Sequence, residues 1–124
     1  PILAMETRGA ESFAAAIAAG SAVLLPAITS VASSLGARQV CEQALVSARG
    51  HLIISEVISD RAALRACEML LHEHRILVEP ACGAAIAAAT RSSVHLADVE
   101  SVLIIVCGGV TMTADRLGEL LQSI

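Results

Sequence analysis

The uninterrupted aliphatic run Val102–Val106, closed by Cys107, Gly108 and Gly109, constrains the fold of this chain more than any other stretch. Five branched aliphatic residues in a row leave no polar face, so a strand made of them expects cover on both sides, as a central strand of a parallel sheet has. Parallel strands need crossovers between them, and the rest of the sequence supplies helical patterns in those places. Hydrophobic residues make up 56% of the chain and aromatic ones 1%, so the interior has to be built from Ala, Leu, Ile and Val. That composition suits helices packed closely on a buried sheet. An α/β fold is expected, with a parallel sheet and flanking helices, and 124 residues are the size of one domain.

Pro1–Met5 (PILAM) predicts a strand, and its abrupt opening leads us to expect that the chain is a piece of something longer. Glu11–Ala19 has a helical pattern that Gly20 closes. Thr29–Leu35 predicts a short helix before Gly36, and Arg38–Arg49 a longer one stopped by Gly50, with Val40, Ala44, Leu45 and Ala48 on one side. His51–Ile58 reads as a strand, although Ser55 and Glu56 bring polar groups into it. Ser59 or Asp60 caps a helix reaching to about His74, in which Leu64, Cys67 and Leu71 recur at helical spacing. Pro80 opens a small-residue helix, PACGAAIAAAT, able to approach a neighbour closely, with Glu79 placed to cap it. After the polar connection Ser92–Glu100 and the aliphatic run, Thr113 caps a last helix with Leu117, Leu120, Leu121 and Ile124 on one face.

Charge removes several functions. A formal net charge of −4 with dispersed arginines gives no footprint for nucleic acid. All eight cationic residues are arginine, so chemistry that needs a lysine amine is not completed by these residues. Ser12–Ala37 carries no charge, but it is rich in Ala, Ser and Thr and is broken by Gly20 and Pro26, which argues for buried helices rather than a membrane span. Cys41, Cys67, Cys82 and Cys107 are widely spaced without a CxxC pair, as are reduced thiols of a cytoplasmic protein. His72 and His74 lie two apart, so on a helix they point in different directions and read as surface residues.

No GxGxxG, Walker loop, HExxH or GxSxG motif is present. Three clusters remain, at Met5–Phe13, Val78–Ala88 and Val102–Gly109. From the residues alone, Glu6 is a solvated carboxylate at a strand end, Cys82 a small core residue, and Cys107 either a buried thiol or a group with a positional role at a strand terminus. No base or cation near Cys107 marks it as a nucleophile.

The segments METRGAESFAAAIAAG, LPAITSVASSLGA, SEVISDRAAL, ILVEPACGAA and IIVCGG, in this order, resemble the C-terminal part of the serine dehydratase (serine/threonine ammonia-lyase) family. These are pyridoxal phosphate enzymes of the tryptophan synthase β-like fold, and the resemblance spans nearly the whole chain. It implies that residues 1–124 form the C-terminal part of a fold type II large domain, with the Schiff-base lysine, the substrate loop and the phosphate loop upstream. No catalytic residue is then expected here, and the chain alone is expected to be inactive. The resemblance implies a cofactor wall of Cys107, Gly108 and Gly109, with the neutral thiol beside the pyridine nitrogen. It also implies a monovalent cation, potassium, held by Glu6, Ala10 and Ser12 with backbone oxygens of Leu35 and Ala37. The implied reaction turns L-serine into pyruvate and ammonia, and L-threonine into 2-oxobutanoate, in a homodimer. A threonine deaminase, a serine racemase or a non-catalytic remnant of the fold are the alternatives.

Overall fold

The computed structural model describes all 124 residues, Pro1–Ile124. Two strands, β1 (Ile2–Thr7) and β2 (Ile53–Ile58), pair in parallel with Ile2 opposite Ile53 and Thr7 opposite Ile58. The crossover between them carries α1 (Ser12–Ala19), a 3-10 turn at Ser33–Leu35 and α2 (Glu42–Gly50). Then follow α3 (Asp60–His74), α4 (Pro80–Thr90), a 3-10 turn at Val94–Leu96 and α5 (Ala114–Gln122). The α/β class and the parallel pairing are as the sequence predicts.

Local chemistry sets the boundaries. Ser59 Oγ accepts the Ala62 N–H at 3.3 Å and starts α3, and Arg75 in the left-handed region (φ 60°) ends it. Thr113 Oγ1 accepts the Arg116 N–H at 3.1 Å and starts α5. The densest packing joins α3 to α4, where a Cβ on Gly83 would overlap the Ala63 carbonyl oxygen and Cys67 Sγ. A glycine is therefore required there for the helices to come this close. Leu64 and Cys67 of α3, Cys82, Ile86 and Ala87 of α4, Ile58 of β2 and Leu117 and Leu120 of α5 form one core.

Several expectations are corrected. Thr29–Leu35 is not a helix beyond the single turn at Ser33–Leu35, because the Ser30 side chain is tied over long range to Thr7 and Asp60 while it also accepts the Ala32 N–H. The helix expected at Arg38–Arg49 begins at Glu42 and includes Gly50. In β2 the Glu56 carboxylate accepts Ser93 Oγ at 2.5 Å, while the buried Ser55 Oγ has no partner. On the last helix, Leu117 and Leu120 are buried, but Ile124 is exposed.

Val102–Val106 forms no helix or strand and belongs to no sheet, and Val102, Leu103, Ile105 and Val106 are exposed, Leu103 at 86%. The expected cover on both faces is missing: β1 and β2 pair only with each other, and Val102–Val106 hydrogen-bonds to neither. No helix is long and apolar enough to cross a membrane, and the charge-free span holds only α1 and one short turn.

Candidate functional site

The turn that follows the exposed run is fastened to the N-terminus of α4. Cys82, one turn into that helix, is buried, and its sulfur accepts the Cys107 N–H at 3.3 Å and the Gly108 N–H at 3.2 Å. Its own S–H donates to the Gly108 carbonyl at 3.3 Å, and the same carbonyl accepts the Glu79 N–H at 3.2 Å. Gly109 is required by this docking, because its neighbour is main chain, whereas at Gly108 the neighbour is a flexible carboxylate. A Cβ on Gly108 would overlap Glu79 Oε1, and one on Gly109 would lie 2.5 Å from the Leu77 carbonyl oxygen.

Cys107 itself is exposed, with its sulfur 3.9 Å from that of Cys82. The reading of Cys107 as a buried thiol is thus corrected: the main chain around it is docked while the side chain faces outward. The hydrogen bond with Cys82 raises the pKa of its thiol above the ordinary value. Deeper in, burial pushes the Cys67 thiol up to about 11.

Glu79 does not cap α4 with its side chain. Its carbonyl starts the helix, accepting from Cys82 and Gly83, while Oε2 accepts the Thr111 hydroxyl at 2.6 Å. Glu79 and Thr111 share a cavity of about 260 Å³ with Ser30, Val31, Pro80 and Arg116. In the same cavity lining, Ser30 Oγ donates to Asp60 at 2.5 Å, lies 2.7 Å from Thr7 Oγ1 and accepts the Ala32 N–H at 3.0 Å. This network ties the end of β1 to the start of α3. Sequence reasoning missed Ser30, which lies within LPAITSVASSLGA but was given no role, and Thr111 and Arg116, which lie outside the quoted segments. A larger cavity, about 340 Å³, includes Arg61, Arg65 and Arg91, and none of the candidate site residues lines it.

A second cluster sits at the carboxyl end of β1. Both oxygens of the buried Glu6 carboxylate accept N–H groups at the start of α1, from Phe13 and Ala14 at 2.8 Å each. Burial raises its pKa against those two bonds, and no basic side chain pairs with it. Ala10 and Ser12 are buried beside it in sequence, whereas Ala37 is exposed and Leu35 partly so. The Ala37 N–H closes back on the Leu35 carbonyl at 2.9 Å. No group of three or more His, Cys, Asp or Glu side chains converges to hold a metal ion.

Residues 1–108 match the family described as "Pyridoxal-phosphate dependent enzyme". The rat protein "Serine dehydratase-like" is 48% identical over 97% of this chain and 39% of its own length. Human "L-serine dehydratase/L-threonine deaminase" is 45% identical over 100% of this chain and 40% of its own length. The chain thus spans about 40% of the length of the curated relatives it matches. A solved fungal L-serine ammonia-lyase from Rhizomucor miehei superposes with a TM-score of 0.87 at 24% identity, covering 98% of this chain and 40% of that one, a likeness of fold. The match over residues 1–108 takes in both strands, α1 to α4 and Cys107, and the chain belongs to the pyridoxal-phosphate dependent enzyme family.

Proposed function

We propose that this chain is the C-terminal part of the catalytic domain of an L-serine dehydratase, which converts L-serine to pyruvate and ammonia and also accepts L-threonine, giving 2-oxobutanoate. The observation that carries this reading is the similarity to the rat and human proteins along nearly all of its length. No residue of the chain is a lysine, so the amine that bonds the cofactor has to come from residues other than these. By itself the 124-residue chain forms no pyruvate.

The residues present fit pyridoxal phosphate. Cys107 offers an exposed thiol that keeps its proton, and a neutral, weakly polar group suits the side of an unprotonated pyridine nitrogen. When bound, the cofactor supplies the electron sink for β-elimination of water. On this side of it, Cys107 leaves the ring nitrogen without a counter-charge, and Gly108 and Gly109 form the adjoining wall. In the longer protein Cys107→Ser keeps most of the pyruvate formation, whereas Cys107→Asp lowers it. Near-complete loss in the Ser variant, with folding and cofactor binding intact, identifies a reactive thiol and ends this account.

The monovalent cation belongs to the same reading. Glu6 is a buried carboxylate with no cationic partner, and an ion shared with Ser12 Oγ and with backbone oxygens of Ala10, Leu35 and Ala37 offsets the cost of its burial. Potassium then raises the melting temperature at neutral pH, and the effect disappears in acid as Glu6 takes up a proton; no potassium dependence at any pH rejects the site. A homodimer in the cytoplasm completes the proposal. The four free thiols accord with the location, and sedimentation of the longer protein tests the assembly.

The deciding experiment assays the longer protein with L-serine and L-threonine and follows pyruvate, 2-oxobutanoate and D-serine. Pyruvate as the main product supports the dehydratase. D-Serine as the main product favours a racemase, 2-oxobutanoate alone a threonine deaminase, and no turnover with cofactor bound a non-catalytic relative.

A further inference from the structure

The Cys107–Gly109 turn is not held as a strand end is usually held. None of the residues Val102–Cys107 makes a backbone–backbone hydrogen bond. Besides two backbone bonds, from the Glu79 N–H to the Gly108 carbonyl at 3.2 Å and from the Met112 N–H to the Gly109 carbonyl at 3.0 Å, the fastening is one sulfur atom. Cys82 Sγ accepts two successive N–H groups, from Cys107 and Gly108, and returns its own proton to the Gly108 carbonyl.

We infer that Cys82 is a positioning residue, whose sulfur fixes the backbone of Cys107 and Gly108 and so aims the exposed Cys107 thiol. The inference rests on the proposal that this thiol faces the cofactor. Three observations support a role beyond filling space. The Cys82 side chain is buried, so its contacts are not exchanged for water. Its sulfur accepts the Cys107 and Gly108 N–H groups, and these find no carbonyl partner. Gly108 and Gly109 permit the close docking that brings those groups to it. An alanine at 82 preserves the helix but leaves both donors unmet. A serine preserves an acceptor on a shorter bond, so it reaches less far and replaces the sulfur in part.

The test uses the longer protein with cofactor bound and the variants Cys82→Ala and Cys82→Ser. Hydrogen exchange at the Cys107 and Gly108 amides is expected to accelerate roughly fivefold or more in the Ala variant, the factor carried by a typical hydrogen bond. Amides in the middle of α4 should keep the wild-type rate. The cofactor should dissociate several-fold faster, the pH midpoint of its visible absorption band should move, and Ser should fall between wild type and Ala in each readout. Unchanged exchange at the two amides overturns the role of Cys82. Faster exchange with cofactor retention and absorption unaltered instead overturns the placement of the cofactor at Cys107. If the Ala variant does not fold, the Ser variant decides alone: wild-type exchange rates there overturn the inference.

Discussion

The faces that α3 and α4 bury against each other and the Val102–Thr111 segment are both made mostly of small and aliphatic residues, yet they end up in opposite conditions. Between the helices, Leu64, Cys67, Cys82 and Ala84 are completely or almost completely buried, and backbone groups are paired within each helix. In the segment, four of the five aliphatic residues from Val102 to Val106 are exposed and no backbone ladder forms. Hydrophobicity is therefore not what separates them. A helix satisfies its backbone internally and needs a partner only for one face, which another helix of the same chain provides. A central parallel strand needs hydrogen-bonding neighbours and cover on both faces, and Val102–Val106 has neither here.

Truncating the helical core should produce the largest effect. Leu64→Ala leaves a cavity where α3 meets α4, and a loss of about 3 kcal/mol is expected in urea unfolding. With only 24 of 124 residues buried, that loss is enough to leave much of the chain unfolded at 37 °C. A loss below about 1 kcal/mol shows that the helix pair is not the stabilising unit.

Raising the pH probes the same core without a mutation. The Cys67 thiol has its pKa raised by burial from 9.0 to about 11, so the folded state holds this proton more tightly than the unfolded state does. The associated stability is fully present below about pH 9 and is lost as pH rises toward 11. After discounting for solvent near the sulfur, the loss is roughly 1–2 kcal/mol. Unfolding curves at successive pH values should show it, and Cys67→Ala should flatten this part of the profile. An unchanged slope in that variant assigns the alkaline loss to other groups.

A smaller effect is expected where α5 joins this core. Thr113→Ala removes the cap that accepts the Arg116 N–H and should cost about 1 kcal/mol. Thr113→Ser should retain most of that stability; equal losses in the two variants assign the effect to the threonine methyl group.

Where the sequence was readable, local chemistry and packing agreed. Ser59, Pro80 and Thr113 start α3, α4 and α5 because each serves a helix whose buried face also has a place to go. Thr29–Leu35 misled because Ser30 is tied to Thr7 and Asp60, residues distant in sequence, and no local pattern encodes that competition. Glu79 misled for a similar reason: capping was the local option, but the Thr111 hydroxyl on the returning chain captured the carboxylate. The three candidate clusters stood out in the sequence as short segments. The outward turn of Cys107 was not, since it follows from Cys82 occupying the inward position with two N–H groups on its sulfur.

The smallest expected effect separates the two regions most directly. Leu103→Ser changes an aliphatic residue that is 86% exposed, so in this chain it should alter unfolding stability by less than about 0.5 kcal/mol. The same substitution should reduce self-association, because it interrupts an exposed run of strand-forming residues with unpaired backbone groups. In the longer protein, where the proposed upstream segments supply neighbouring strands, Leu103→Ser should instead cost about 2 kcal/mol or more, as a buried aliphatic position does. Measuring both proteins by urea unfolding makes the contrast decisive. Equal and small losses mean that Val102–Val106 stays uncovered in the longer protein as well, whereas a large loss confined to that protein shows a strand completed by residues outside this chain.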